Sequence, residues 1–215
     1  EPTAMPDALR QAHEAMQAGR PADALNVLQV YLATAPDDVG ALNLAGLAQL
    51  TMGAGEAAAD VLERAVSLDP EHVESLTHLG IAKLSVGQVE DGVRRLEQAV
   101  ARRTGYLPAR FNLGLAYLRT GRAVEAVAAF RHVTKADARN AGAWLNLGVA
   151  QVSAGMREQA IDSFRAATRL APSDPVPARN LANLLVEQDA PGDALPIYTH
   201  LLEKDDSDLV ALIGM

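Results

Sequence analysis

Residues 141–174 read AGAWLNLGVAQVSAGMREQAIDSFRAATRLAPSD, and this stretch decides the fold. Two runs of helix-forming residues flank Gly155, and the second run ends before Pro172. Glycine commonly ends a helix because it tolerates a positive φ, and proline ends one because it lacks a backbone donor. The stretch therefore predicts two helices joined by a tight turn.

The same pattern recurs with a period of 34 residues on both sides of this stretch. One series consists of dipeptides whose second residue is glycine or alanine: Ala45-Gly46, Leu79-Gly80, Leu113-Gly114, Leu147-Gly148 and Leu181-Ala182. A second series places a glycine in the turn, at Gly19, Gly53, Gly87, Gly121 and Gly155. A third series places a large apolar residue, at Leu28, Leu62, Leu96, Phe130, Phe164 and Tyr198. These series predict six repeats: 5–38, 39–72, 73–106, 107–140, 141–174 and 175–208.

Each repeat is predicted to be a helical hairpin that cannot bury its apolar face alone. Stacked neighbours bury a continuous core, so the period predicts an all-α solenoid of helix-turn-helix repeats. In each hairpin, the small residues allow two helices to approach closely, and the large residue fills the space beside them. Residues 209–215 are apolar and predict the start of a further helix, so we expect the protein to continue beyond Met215.

The pattern resembles the tetratricopeptide repeat (TPR) family, and bacterial scaffolds of that family in particular. The matching positions of the fifth repeat are Trp144, Leu147, Gly148, Gly155, Ala160, Phe164, Ala167 and Pro172. The sequence departs from the family pattern at Arg110, which stands where Trp144 stands one repeat later. The resemblance implies a right-handed superhelix whose concave groove is lined by the first helix of each repeat.

Composition excludes several classes of function. The chain has a formal net charge of −8 and no cysteine, so disulfides and thiolate chemistry are excluded and a nucleic-acid partner is disfavoured. No apolar run is long enough to span a membrane, and we expect a soluble protein of the cytoplasm or periplasm. Its five histidines, two of which (His72 and His78) flank one inter-repeat turn, form no ligand motif, and no nucleophile or phosphate-binding motif occurs. We therefore expect no catalytic activity, no metal and no cofactor.

The resemblance places two sets of side chains in the groove. The first set is an asparagine series, Asn112, Asn146 and Asn180, in which each amide can both donate to and accept from a peptide group. The second set, the apolar stripe, comprises Leu47, Leu50, Ile81, Leu84, Phe111, Leu115, Leu118, Leu145, Val149 and Val152. Two interpretations are open for the stripe: it contacts an apolar partner, or neighbouring first helices bury it. Asparagine is also simply frequent at this place in the repeat.

The fourth repeat is basic, with six basic and two acidic residues between 107 and 140. Arg110 and Arg119 lie on its first helix, where they either steer an acidic ligand or form part of a solvated surface.

The first functional hypothesis is a protein-interaction scaffold that binds a peptide or a partner helix in the groove. The second hypothesis is a targeting or substrate-recognition region of a larger enzyme, such as a glycosyltransferase or a sulfotransferase. The third is a homo-oligomer that associates through the apolar stripe or through the open end at residues 209–215.

Overall fold

The computed structural model describes residues 6–204, which form twelve α-helices and, within that range, no strand. In chain order these are α1 (Asp7–Gln17), α2 (Pro21–Thr34), α3 (Val39–Thr51), α4 (Gly55–Leu68), α5 (Val73–Ser85), α6 (Val89–Arg102), α7 (Leu107–Arg119), α8 (Ala123–Ala136), α9 (Ala141–Ser153), α10 (Arg157–Leu170), α11 (Pro175–Glu187) and α12 (Pro191–Lys204). The all-α prediction is confirmed. From α3 onward, the odd-numbered helices begin 34 residues apart.

The helices form two compact units that divide between Ala116 and Tyr117, inside α7. In the N-terminal unit, α1 to α6 pack as consecutive neighbours, hairpin against hairpin. In the C-terminal unit, α8 to α12 do the same. Met5, where the first repeat was expected to begin, lies outside the described residues, and so do residues 205–215 with the expected seventh first helix. No helix in the described range is long and apolar enough to cross a membrane.

The turn inside each hairpin is built as the glycine series predicts. Gly53 has a φ of 76° and Gly155 a φ of 74°, and the other three turn glycines also lie in the left-handed region. In the last repeat this conformation is taken by Asp189, with a φ of 55°. Aspartate is among the few non-glycine residues that visit this region routinely, because its short side chain can hydrogen-bond locally.

The start of the first helix is fixed by a series of caps that the sequence analysis missed. Asp38 accepts a hydrogen bond from the backbone N–H of Ala41 at 2.9 Å, and Asn140 accepts one from Ala143 at the same distance. Asp174 caps α11 by accepting a hydrogen bond from the backbone N–H of Val176, two residues on, at 2.9 Å. These side chains satisfy backbone donors that the first turn of a helix leaves unpaired. The signal was present in the sequence, because the caps stand 34 residues, or a multiple of 34, apart.

The close approach of the two helices in a hairpin is also confirmed. A Cβ atom added at Gly46 would lie 2.4 Å from Cγ of Leu62, and one added at Gly148 would lie 2.5 Å from the ring of Phe164. The large residues of the third series are all buried, including Tyr198 at 2% exposed. The small residue of the first helix and the large residue of the second therefore interlock inside the hairpin. The opposite face of the first helix points away from its hairpin partner.

Candidate functional site

The predicted binding residues fall into two sets, one in each unit. In the N-terminal unit they lie on α5 and on the first three turns of α7, at Ile81, Leu84, Phe111, Asn112 and Leu115. In the C-terminal unit they lie on the end of α7, on α9 and on α11, at Leu118, Arg119, Leu145, Asn146, Val149, Val152 and Asn180.

A cavity of about 270 Å³ opens between α9 and α11 in the C-terminal unit. Three of its lining residues were predicted from the sequence: Val149, Val152 and Asn180. Five others were not predicted: Ser153, Phe164, Asn183, Leu184 and Glu187. Three of the missed residues, Ser153, Asn183 and Glu187, stand a multiple of 34 residues after the predicted Arg119 or Val149, but they differ from them in residue type. Phe164 lies on α10, and the 34-residue spacing alone does not show that it faces the same space.

The floor of this cavity is apolar and tightly packed. Phe164 is 2% exposed and Leu184 is 3% exposed. Val149 and Val152 are half-buried and pack against the hydrophobic cluster formed by α10, α11 and α12. In this unit each valine therefore contacts the core and still presents surface to the cavity.

The asparagine side chains are not equivalent. The amide nitrogens of Asn112 and Asn146 each donate at 2.8 Å to a backbone carbonyl one turn earlier, that of Pro108 and that of Gly142. This leaves the amide oxygen and one N–H of each side chain available. Asn180 lines the cavity, and its side chain forms no hydrogen bond with any residue in the range 6–204.

A second asparagine that lines the cavity, Asn183, is held in place by a hydrogen bond to α12. Asn183 accepts a hydrogen bond at 2.7 Å from the hydroxyl of Tyr198 on α12. Burial raises the pKa of Tyr198, so this hydroxyl remains a neutral donor near pH 7. The hydrogen bond holds the oxygen of Asn183 toward α12 and leaves its NH₂ group unbonded within the described range.

The charge at this cavity is negative. Among the described residues that line it, Glu187 is the only charged one, and it forms no ion pair within residues 6–204. Helix α9 contains no charged residue, and α11 contains one other, Arg179. Arg179 does not line the cavity.

In the N-terminal unit one predicted groove residue, Leu84, is buried inside its hairpin. Leu84 is 7% exposed, and its Cγ lies 2.7 Å from the position that a Cβ on Gly92 would take. The side chain thus enters the α5–α6 hairpin and offers little surface to a partner. Ile81, Phe111 and Leu115 are half-buried, as the valines of α9 are.

His78 occupies the place in its repeat that the asparagines occupy elsewhere, and the sequence analysis did not assign it to the groove. Its Nδ1 lies 2.8 Å from the amide oxygen of Asn43 on α3, so Nδ1 carries the hydrogen of this bond. Burial lowers the pKa of His78, which favours the neutral ring. His72 instead accepts a hydrogen bond from the backbone N–H of Ser75 at the start of α5. No group of three or more potential metal ligands occurs among the described residues.

The basic residues of the fourth repeat are partly engaged by their own units. Arg110 donates to the backbone carbonyl of Thr104 at 3.0 Å. Arg119 is exposed at the end of α7. Arg122 stacks over the ring of Tyr117 at 4.2 Å and pairs with Glu125 at 3.0 Å. The expected basic centre is therefore carried in large part by side chains that already have protein partners.

The sequence matches the family described as "Tetratricopeptide repeat" over residues 9–73, 78–137 and 125–175. No curated protein matches it.

Solved structures similar to this chain include several of MamA. MamA MSR-1 is 30% identical, with a TM-score of 0.68 over 75% of this chain and 92% of that one. MamA from Desulfovibrio magneticus RS-1 is 21% identical, with a TM-score of 0.74 over 80% of this chain and 98% of that one. YrrB is described as a TPR protein with an unusual peptide-binding site. It is 14% identical, with a TM-score of 0.74 over 87% of this chain and 96% of its own.

Proposed function

Because the chain belongs to the tetratricopeptide repeat family, we propose that it is a protein-interaction scaffold that binds a peptide or a partner helix on its first helices. The observation that carries the proposal is the cavity between α9 and α11, where an apolar floor lies beside the unbonded amide of Asn180. An apolar recess with a few convergent polar groups is the usual form of a binding site.

The polar groups suit a peptide backbone. A peptide unit presents one donor and one acceptor, and a primary amide such as that of Asn180 can pair with both. Asn146, one repeat earlier, keeps one donor and its acceptor available after bonding Gly142. The solved relative YrrB, which has a peptide-binding site, shares the repeat fold, and this supports a polypeptide as the ligand.

The apolar groups suit side chains of the same ligand. Val149 and Val152 are held rigidly because their inner surfaces pack against the core of the C-terminal unit. A ligand side chain placed on them would bury apolar area without requiring new order in the protein. Ile81, Phe111 and Leu115 would provide comparable contacts in the N-terminal unit.

The test uses a peptide selected on the purified chain from a displayed library of random sequences. Val152→Asp should weaken its binding at least about tenfold, because it places an unpaired charge on an apolar contact. Asn180→Ala should weaken it by about 0.5–1.5 kcal/mol, the net contribution of a typical hydrogen bond. Fluorescence anisotropy of the labelled peptide measures both changes.

Two matched variants control this experiment. Val124→Asp changes a valine that is 64% exposed on α8 and does not line the cavity. Asn26→Ala changes an exposed asparagine on α2. Both should bind as the wild type does, and circular dichroism should show all four variants folded. If the folded Val152→Asp and Asn180→Ala variants also bind like the wild type, the ligand does not occupy this cavity and the proposal is wrong.

A further inference from the structure

The cavity between α9 and α11 carries a charge that the structure does not neutralise. The Glu187 carboxylate lines it and has no cationic partner within residues 6–204. Some exposed acidic side chains elsewhere have such a partner, as Glu125 has Arg122 and Asp37 has Arg64, whereas others, such as Glu56, have none within the described residues. A carboxylate at the mouth of a binding recess attracts a cation, and here the protein does not supply one.

The ends of the two helices add to the same potential. Helix α9 ends at Ser153 and α11 ends at Glu187, and both of these residues line the cavity. The C-terminal end of a helix carries a partial negative charge, which favours cations within the last turn. Arg157, at the start of α10, lines a different depression, together with Glu158 and Gln188.

The volume and the floor limit what can enter. About 270 Å³ is at the lower limit for small-molecule sites and accommodates one or two side chains. The Phe164 ring and the two valines favour an occupant that is partly apolar. Glu187, at the C-terminal end of α11, favours an occupant that also carries a positive charge. A side chain with an apolar stem and a charged end matches both features, because lysine and arginine bury their methylene groups while keeping the charge in water.

We propose that the ligand of this groove is a cationic peptide, in which an arginine or lysine beside an apolar residue enters the α9–α11 cavity and pairs with Glu187. This inference rests on the proposed function and specifies its ligand. The apolar residue contacts Val149 and Val152, the amide of Asn180 bonds the peptide backbone, and the cation lies at the two helix ends. Affinity then depends on the charge of one ligand residue, and short peptides that differ only at that residue can test this dependence.

The probe is a set of three acetylated and amidated peptides of seven residues. Each has a leucine at the centre, followed by arginine, glutamine or glutamate, with glycine and serine elsewhere. Each peptide is titrated into the ¹⁵N-labelled 215-residue chain, and its affinity is taken from the shifts of the Val149 and Val152 backbone amides and the Asn180 side-chain amide. The arginine peptide should bind roughly two- to fivefold more tightly than the glutamine peptide, the range expected for an exposed ion pair. The glutamate peptide should bind most weakly.

Three variants locate the effect. Glu187→Gln should make the arginine and glutamine peptides equal, and Glu187→Lys should reverse the order so that the glutamate peptide binds best. Glu158→Gln removes an exposed glutamate of α10 that does not line the cavity, and it should leave the order unchanged. The preference for arginine should also decrease as salt is raised from 0.01 to about 0.15 M, because exposed charges are then screened.

The outcomes separate this inference from the proposed function. If the three peptides shift the cavity resonances with equal affinities, the groove binds peptides without selecting a cation, and only the inference is overturned. If the arginine preference survives Glu187→Gln, it arises from another part of this acidic chain, and the inference is again overturned. If no peptide shifts any resonance of α9 or α11, both the inference and the proposed function are wrong.

Discussion

The hairpins α5–α6 and α9–α10 share one backbone plan but bury different polar groups at equivalent positions. In α5, Lys83 is 8% exposed, and its ammonium contacts the carboxylate of Glu63 on α4 and lies 4.0 Å from that of Asp91 on α6. In α9 the equivalent residue is Gln151, which is 3% exposed and accepts a 2.6 Å hydrogen bond from Ser163 on α10. The repeat thus determines the position at which a polar group is buried. The residue type at that position and the partner it pairs with differ between the two hairpins.

The largest effect is expected at the tight contact that the two hairpins share. Gly148→Ala places a methyl group 2.5 Å from the buried ring of Phe164, so the ring or the helix must move. We expect a loss of about 2–3 kcal/mol in the free energy of unfolding, as is typical of overpacked cores. Urea unfolding followed by circular dichroism measures it.

The matched control is Gly142→Ala, on the exposed side of the same helix. A Cβ at Gly142 meets only Asn140, at the ordinary distance of 3.5 Å. This change should be neutral or should stabilise the chain by up to about 1 kcal/mol, because alanine favours helix more than glycine does. Equal urea midpoints for the two alanine variants would mean that the α9–α10 contact is looser than described.

The next effect distinguishes the two buried polar groups. Gln151→Leu leaves the Ser163 hydroxyl buried without its acceptor, which should cost about 1–3 kcal/mol. Adding Ser163→Ala should recover much of that loss, because both partners are then apolar. Lys83→Met should lower the free energy of unfolding less than Gln151→Leu does. The Glu63 side chain that loses its partner is 49% exposed, so water can solvate it. Urea unfolding of the three variants and the wild type checks this order, and a larger loss for Lys83→Met than for Gln151→Leu would contradict it.

The smallest expected effect is a difference in pH dependence. The Arg94 guanidinium, with Arg95 and Lys83 nearby, lowers the pKa of Asp91 below its usual value of 3.8. Because the pKa is lower in the folded state, the associated stability is present above pH 4 and is lost as the pH falls through the folded pKa. Asp91→Asn should therefore lose less stability than the wild type between pH 5 and pH 3, as measured by urea midpoints.

The neutral pair provides the control for that measurement. Neither Gln151 nor Ser163 titrates in this range, so the Ser163→Ala variant should show the same acid dependence as the wild type. If Asp91→Asn and the wild type lose equal stability in acid, the ion pairs around Asp91 do not contribute to folding.

Much of the fold could be predicted because the period is a local property repeated many times. The turn at Gly155 and the burial of Phe164 each depend on contacts within one hairpin, and the same residue types recur every 34 positions. The caps at Asp38, Asn140 and Asp174 follow the same period and could have been found by extending the search to the last position of each repeat. The candidate site was only partly predicted. Asn183 and Glu187 stand 34 residues after Val149 and Ser153, but their residue types differ from those of the earlier repeats, and only the packing of α9 and α11 against α10 brings them to one cavity.

The sequence alone determined the helix-turn-helix pattern, its turns and the residues that interlock within a hairpin. The tertiary structure decided which members of the apolar stripe remain accessible. Leu84 and Val152 stand at the same place in their repeats, yet Leu84 is buried and Val152 is half-exposed. The residue facing Leu84 is Gly92, whose missing side chain leaves room for it, whereas the residue at the equivalent position of the α9–α10 hairpin is Ala160. The absent side chain at Gly92 thus lets Leu84 enter the core of its hairpin, whereas Val152 lines the cavity.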